Sequence, residues 1–376
     1  MTTFFYDWIK VTQVHNVQLP VVTDIVINTV ECATGEITST RQPSFFYQGS
    51  YSSNVKIQVR GNEITFDGNI SRLGRTDNLY GFDSIDKAMT AINSVLAVYG
   101  LPPFTKTTKV TLAQSSDGKS ALIADGAVFK RLDITTNIAV GKDNVNAYLK
   151  SLSTQKMGHY MPHLYDNEKT IDWKSPKRGA TRLVYRKVYD KAHDLHLHLK
   201  PKIKRSCGED SKEYQYILDV INFCEQQGIV RFEQELKSEF LQRQGLNYWG
   251  LMKEADIMKL QDEFLKLDEQ LKVTAIDYES IAEALIRVGV CNNTRSANIT
   301  AMHAMDWKAG RIFNGSERSY KTHRARLRKI GLDIAIPFKE DRHCLTIVKR
   351  KEAIIVNKSP EIPTWYKMPS HLRLVA

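Results

Sequence analysis

Cysteine is scarce and unpatterned in this chain: Cys32, Cys207, Cys224, Cys291 and Cys344 are odd in number, widely scattered and never spaced Cys-x-x-Cys. That excludes a disulfide framework and a cysteine-ligated zinc site, and it fits a reducing cytoplasm. No uninterrupted apolar segment is long enough to span a membrane, and residues 1–7 carry no charged stretch leading into an apolar one, so a soluble, unprocessed protein is expected. Internal repeats and low-complexity tracts are also lacking. Acid is short: 42 Asp and Glu stand against 53 Lys and Arg, a formal charge of +11. An excess of that size points to a polyanionic partner, because each neutralised phosphate releases condensed counterions. The 376 residues allow two domains, or one large domain with an appendage.

What is present falls into two parts. Val55, Ile57 and Val59 precede Gly61-Asn62, and Ile64 and Phe66 follow, the pattern of a hairpin around a tight turn. Ile85, Ala88, Met89, Ile92, Val95 and Leu96 recur at helical spacing between Asp83-Ser84 and Gly100, which predicts a capped helix. Residues 127–140 read as a strand with Arg131, Asp133, Thr135 and Asn137 on one face and Leu132, Ile134 and Ile138 on the other. A helix follows through Val145, Leu149 and Leu152, and residues 158–182 show no clear period and read as loop with irregular strand. Strands over 182–191 and 229–237 bracket a helix over 212–227 that Gly228 closes. Together these elements predict an α+β sheet domain over residues 1–245. Residues 246–376 read as mainly helical, with helices over 254–272 and 278–288 and a strongly basic one between Ser316 and Gly331.

Two of the strands carry chemistry. In a strand over 184–191, Tyr185, Lys187, Tyr189 and Lys191 share one face, with Val184 and Val188 behind. Along 229–237, Arg231, Glu233, Glu235 and Lys237 share an exposed face, with Val230, Phe232 and Leu236 inward. A phenol nucleophile, cations beside it and carboxylates that hold a metal are what breaks a phosphodiester through a protein-bound intermediate. Oxygen ligands without cysteine suit Mg2+ or Mn2+, with Asp133, Glu233 and Glu235 as ligands and the sheet bringing Asp133 opposite Glu233. His196-Leu197-His198 is the rival metal pair: in a strand both imidazoles face one way, whereas on a helix they diverge. The plainer reading of each strand is an ordinary sheet with an ion-paired surface. Nearer the C-terminus, Arg318, Lys321, His323, Arg324, Arg326, Arg328 and Lys329 sit almost around one helix, broken by Leu327 and Ile330. So dense a cluster of one sign points to phosphate contacts, with Met302 to Trp307 as a supporting helix.

Arg131-Leu132-Asp133, Tyr189-Asp190-Lys191-Ala192-His193-Asp194-Leu195 and Val230-Arg231-Phe232-Glu233 resemble, in order and spacing, the filamentous-phage replication initiators of the gene II protein family, which are related to rolling-circle HUH-type nicking endonucleases. Asn78-Leu79-Tyr80-Gly81 and Pro363-Thr364-Trp365-Tyr366 add to the resemblance. It implies an antiparallel-sheet domain of the rolling-circle nickase type followed by a mainly helical C-terminal DNA-binding region. It also implies nicking of the plus strand at the origin of the double-stranded replicative form, a 3′-hydroxyl left for a host polymerase, and joining of the displaced strand. The implied partners are origin duplex, plus-strand single-stranded DNA, a host helicase and a host DNA polymerase, with oligomerisation on DNA allowed. Carried over by position, Tyr189 matches the nucleophile, Lys191 its partner, and Asp133 and Glu233 the acids near a metal, while Tyr185 and Glu235 have no counterpart. Lys187 stands beside the nucleophile, and Arg131, Arg231, Lys321, Arg324, Arg326 and Arg328 are expected on DNA. A different class of protein would use the same basic surface without chemistry: a DNA-binding regulator or a plasmid partition factor. Formation of a covalent protein–DNA adduct separates the two.

Overall fold

The structure is a computed structural model that describes residues 4–47, 55–114, 120–175, 182–271, 281–338 and 360–369. Its strands are β1 (Phe5–Val14), β2 (Ile27–Val30), β3 (Ile37–Arg41), β4 (Phe45–Phe46), β5 (Val55–Arg60), β6 (Glu63–Asn69), β7 (Val110–Gln114), β8 (Ser120–Ala124), β9 (Val128–Ala139), β10 (Met161–Leu164), β11 (Thr170–Lys174), β12 (Val184–Asp190) and β13 (Ile229–Lys237). Nine of them form one sheet in the order β10-β11-β12-β13-β9-β1-β6-β5-β4. Every pairing in it is antiparallel. The pairs β2–β3 and β7–β8 stand apart as two-stranded hairpins. The helices are α1 (Ile85–Val98), α2 (Val145–Leu152), α3 (Lys191–Asp194), α4 (Lys200–Cys207), α5 (Lys212–Gln227), α6 (Ser238–Arg243), α7 (Glu254–Leu271), α8 (Ile281–Arg287), α9 (Thr294–Lys308) and α10 (Arg318–Lys329), with a 3-10 turn at Ile70–Arg72 and a π-helical turn at Leu195–Leu199.

Local chemistry explains where these elements stop. The Ser84 side chain accepts from the Asp86 N–H at the start of α1, and Ser211 does the same for Tyr214 in α5. At the end of α5, Gly228 sits at φ +61, and a Cβ there would overlap the backbone of Gly141. Glycine is therefore required both by the left-handed turn and by the close approach.

Alternation along the central strands gives the sheet two different faces. Ile9, Val11, Ile64, Phe66, Leu132, Ile134 and Leu236 pack with the apolar face of α1 into one core. On the same side, Ile138, Val188, Val230, Phe232 and Trp173 pack with α2 and with Phe264 of α7. Helix α7 lies beyond the boundary expected near residue 245, so the sheet's core extends past that point to Leu267. The opposite face carries the polar row of β9, β12 and β13, and it is not open to solvent as the sequence suggested. Arg231 is fully buried and Glu233 nearly so: the loop after Ile70–Arg72 lies over Arg231, Tyr189 and Lys187 close on Glu233, and α3 to α5 pack around Ala139 and Ile229 at the edge of that cover. Residues 158–182, expected as loop with irregular strand, contain the short strands β10 and β11.

Helices α8, α9 and α10 enclose a separate core of Leu285, Ala297, Ala304, Trp307, Tyr320, Leu327 and Ile334. It touches the sheet unit where Gln155 Nε2 donates to the Gly331 carbonyl at 3.1 Å. In this core His323 stacks on His303 at 4.0 Å between ring centres, and its Nδ1 lies 2.9 Å from the Thr300 hydroxyl. Burial, then the proximity of His303 and Arg326, holds the His323 imidazole down to about 4. A base whose pKa is depressed on folding favours the folded state while neutral, so its contribution is whole above the ordinary value of 6.5 and is lost as pH falls toward about 4. Melting of the protein followed by circular dichroism should show a loss of stability across that window that His323→Gln largely removes. An unchanged pH slope in the variant would take His323 out of the account.

Candidate active site

Four strands build the site from the middle of the sheet outward. Across β13 and β12 the register places Arg231 opposite Tyr189, Glu233 opposite Lys187, and Glu235 opposite Tyr185. Across β13 and β9 it places Arg231 opposite Asn137, Glu233 opposite Thr135, Glu235 opposite Asp133, and Lys237 opposite Arg131. Directly paired residues of antiparallel strands point to the same side, so this register gathers the whole polar row on one face. Asp133 therefore faces Glu235, and not Glu233 as the sequence suggested. In β1 a register shift between Tyr6 and Trp8 leaves Asp7 as an extra residue at a bulge.

Tyr189 is 9% exposed, and its hydroxyl donates to Glu233 Oε2 at 3.0 Å. The other oxygen of Glu233 is 2.9 Å from Lys187 Nζ. Two ammonium groups flank the phenol ring, Lys187 at 5.2 Å and Lys191 at 5.9 Å from its centre. Burial and then the Glu233 charge push the Tyr189 phenol well above its ordinary value, with Arg231 opposing, so the hydroxyl is held protonated. Burial works against the charge on Lys187, but Glu233 prevails and its pKa lies above the usual lysine value. Lys191 departs from its expected place on the strand. β12 ends at Asp190, whose side chain caps α3 by accepting from the His193 N–H, and Lys191 opens that helix. Its ammonium group is fully buried between Asp194 Oδ2 at 2.7 Å and Asn78 Oδ1 at 3.1 Å. Burial, then Arg231, lowers the Lys191 pKa, while Lys191 in turn pulls the Asp194 carboxyl down to about 2 against the effect of burial.

The expected metal ligands are paired with cations. Arg131 donates to both oxygens of Asp133, at 2.7 and 2.5 Å, reaches Glu235 at 3.4 Å, and lies 5.0 Å over the Trp8 ring. Burial pushes the Asp133 carboxyl up, against the pull of Arg131. Glu233 is taken by Tyr189 and Lys187, and Glu235 also pairs with Lys237 at 3.5 Å. As arranged, the three carboxylates do not fit a divalent ion, and among the described residues no three acid, His or Cys side chains converge on a metal-sized site. A metal would have to displace Arg131 from Asp133 and Lys187 from Glu233. The histidine pair sits in the π-helical turn, with both residues exposed and His196 Nε2 2.9 Å from Glu225.

Arg231 and Asn137 hold the cover over this face. Arg231 donates to Asn137 Oδ1 at 3.0 Å and to the carbonyls of Asn78 and Leu79 at 2.7 and 2.6 Å, and Asn137 Nδ2 also donates to the Leu79 carbonyl. Asn78 Nδ2 in turn donates to Asp7 at 3.1 Å. Gly81 lets this loop pass so close, since a Cβ there would overlap Ser71, the Phe5 ring and the Tyr6 carbonyl. Asp7 was missed by sequence reasoning because nothing in its neighbourhood marks a bulge, whereas Asn137 already stood on the polar face of the expected strand. A second missed group surrounds Asp172, whose Oδ2 accepts from Tyr185 at 2.8 Å, Tyr165 at 3.1 Å and Lys174 at 2.9 Å. Burial and then Asp172 push the Tyr185 phenol up as well. Its hydroxyl thus points to β11 rather than to Glu233.

On α10, Arg324 is bound through two nitrogens to Asp333 at 2.7 and 2.9 Å, Arg328 Nη2 donates to the Lys156 carbonyl at 3.3 Å, and Arg326 reaches Thr300 at 3.4 Å. All three are half-buried and tie the helix to its neighbours, while Arg318, Lys321 and Lys329 are exposed.

A family profile for the N-terminal part of a phage replication-associated protein matches residues 5–255, and the companion profile for its C-terminal part matches residues 285–372. A relative, the replication-associated protein of Escherichia phage If1, is 45% identical over 321 residues, which are 85% of this chain and 99% of the relative. No solved structure matches the chain. With both profiles and that relative in agreement, the chain belongs to the filamentous-phage gene II family of replication-associated proteins.

Proposed function

We propose that the protein initiates rolling-circle replication by nicking the plus strand of the phage replicative form at its origin and later rejoining the displaced strand. The observation that carries this reading is the Tyr189 hydroxyl seated on Glu233, with Lys187, Lys191 and Arg231 around the ring. The phenol oxygen attacks the scissile phosphorus while its proton passes to Glu233, which is already at hydrogen-bond distance. The bond from phosphorus to the 3′-oxygen breaks, that oxygen takes up a proton, and the 5′-phosphate stays on Tyr189. The cations offset the charge that develops on the phosphoryl oxygens. In the joining step a second cut at the regenerated origin frees the 3′-hydroxyl of the displaced strand; its oxygen bonds to the phosphorus of the phosphotyrosine and loses its proton, the bond from phosphorus to the phenol oxygen breaks, and Glu233 returns a proton to that oxygen, so no external energy source is needed. The free 3′-hydroxyl is a primer for a host polymerase, with a host helicase opening the strands ahead of it.

The deciding assay incubates the protein with supercoiled DNA carrying the phage origin, followed by a denaturing gel and peptide mapping of any adduct. A nick with the 5′ end covalently on Tyr189 is the expected result. Origin binding with no adduct under any divalent-ion condition would leave a DNA-binding regulator.

The helical unit would supply duplex affinity through its exposed cations. Replacing Arg318, Lys321 and Lys329 with Ala should lower the log–log salt slope of origin binding by roughly one unit for each phosphate that is no longer neutralised. Cleavage of a single-stranded oligonucleotide should change little. Arg324→Ala, by contrast, should chiefly lower the melting temperature, because it leaves the buried Asp333 without its two-pronged partner. A normal salt titration of the triple variant would remove α10 from the DNA-binding surface.

A further inference from the structure

Residues 360–369 lie against the sheet unit, far in sequence from everything they touch. The Tyr366 side chain is buried there, and its hydroxyl joins three parts of the loop that covers the polar face. It donates to Asp77 Oδ1 at 2.6 Å, accepts from the Tyr80 N–H at 3.0 Å, and accepts from Arg75 Nη2. Arg75 also closes the loop across its own neck by donating to the carbonyls of Ser71 and Tyr80, at 2.9 and 2.6 Å. Asp77 takes the Leu79 N–H at 2.7 Å and the Tyr216 hydroxyl at 3.1 Å. The next residue back, Trp365, packs edge-on against Tyr216 and Phe223 of α5.

Between Asp77 and Tyr80 lie Asn78 and Leu79, the two residues whose groups receive Lys191 and Arg231. We infer that Tyr366 is a positioning residue for the nicking reaction, a latch through which the C-terminal segment holds the loop of residues 75–80 and so keeps Lys191 and Arg231 beside Tyr189. The inference rests on the nicking reading given above. Side-chain burial alone would need only an apolar ring at this place. A hydroxyl that satisfies a carboxylate, a guanidinium and a backbone N–H at once fixes the loop's conformation as well as its packing. A displacement of one ångström at groups that surround a reacting centre is enough to slow it severely.

The test is made in the full chain on origin DNA, in single turnover, with the rate constant and the final amplitude of adduct formation measured separately and the origin Kd measured alongside. Tyr366→Phe should reduce the rate constant on the order of tenfold to a hundredfold, with amplitude and Kd changed by less than about twofold. Amide exchange should rise at Tyr80 and through the loop. Trp365→Ala, which loosens the segment on α5 by removing the ring that packs on Tyr216 and Phe223 and uncovers no polar group, should lower the rate in the same sense and serves if the first variant does not fold. An unchanged or faster rate in either folded variant would overturn the latch, as would a loss of amplitude at an unchanged rate, which is the mark of a purely structural role. Should the unaltered protein form no adduct, the proposed function fails. The latch is then judged on the exchange alone, with unchanged protection in Tyr366→Phe ruling it out.

Discussion

Tyr189→Phe should form no adduct and make no nick on supercoiled origin DNA, while melting and binding much as the unaltered protein does. The change removes the oxygen proposed to attack and almost nothing else, because Lys187 remains on Glu233 at 2.9 Å and keeps that buried carboxylate paired. Tyr185→Phe provides the comparison: its hydroxyl serves Asp172, which keeps Tyr165 and Lys174, so substantial activity should survive. Adduct formation that persists in Tyr189→Phe and vanishes in Tyr185→Phe would transfer the nucleophile to the other end of β12.

Arg231→Met should be the most damaging single change to the fold. The guanidinium is wholly buried and supplies Asn137 Oδ1 and the carbonyls of Asn78 and Leu79, and a thioether of similar length supplies none of them. Each buried acceptor left without its donor costs about 1–3 kcal/mol, and three lose the guanidinium here. For a sheet unit of this size that corresponds to a fall in Tm of roughly 10 °C or more. Arg231→Lys should recover only part of the loss, because one ammonium group cannot reach across the same three acceptors as a planar fork. A Met variant that melts within a degree or two of the parent would mean that the cover is held by other interactions.

Much of this architecture was readable from the chain, and the parts that were not share a physical cause. The helices α1 and α5 and the strands β9, β12 and β13 announce themselves through caps, stop glycines and two-residue alternation, signals that are local. Which residues share the polar face also followed, since alternation alone decides it, except for Lys191, where the chain has already turned into α3. The register across strands did not: whether Asp133 meets Glu233 or Glu235 depends on hydrogen-bond pairing between segments about a hundred residues apart. Burial of Arg231 was likewise hidden, because the loop that covers it comes from residues 73–82 and leaves no trace in the alternation of β13. Asn78-Leu79-Tyr80-Gly81 and Pro363-Thr364-Trp365-Tyr366 stood in the sequence as unrelated fragments. The rings of Tyr80 and Tyr366 lie 5.3 Å apart.

The position of β13 between β9 and β12 bears on how the protein is made. β9 and β12 are synthesised first and are not neighbours in the finished sheet, because a strand that leaves the ribosome later lies between them. Until residues 229–237 arrive, the nascent sheet is two fragments with facing open edges, one carrying Asp133 and the other Tyr189. Open edges of that kind invite pairing with other chains, so the interval before β13 is the one in which aggregation threatens most. It is also an interval without Glu233 or Arg231, and a chain whose translation stops short of them has a tyrosine with neither a proton acceptor nor a closed fold around it. Under the proposed function, abortive products of synthesis would therefore be unable to cut the DNA they are born beside.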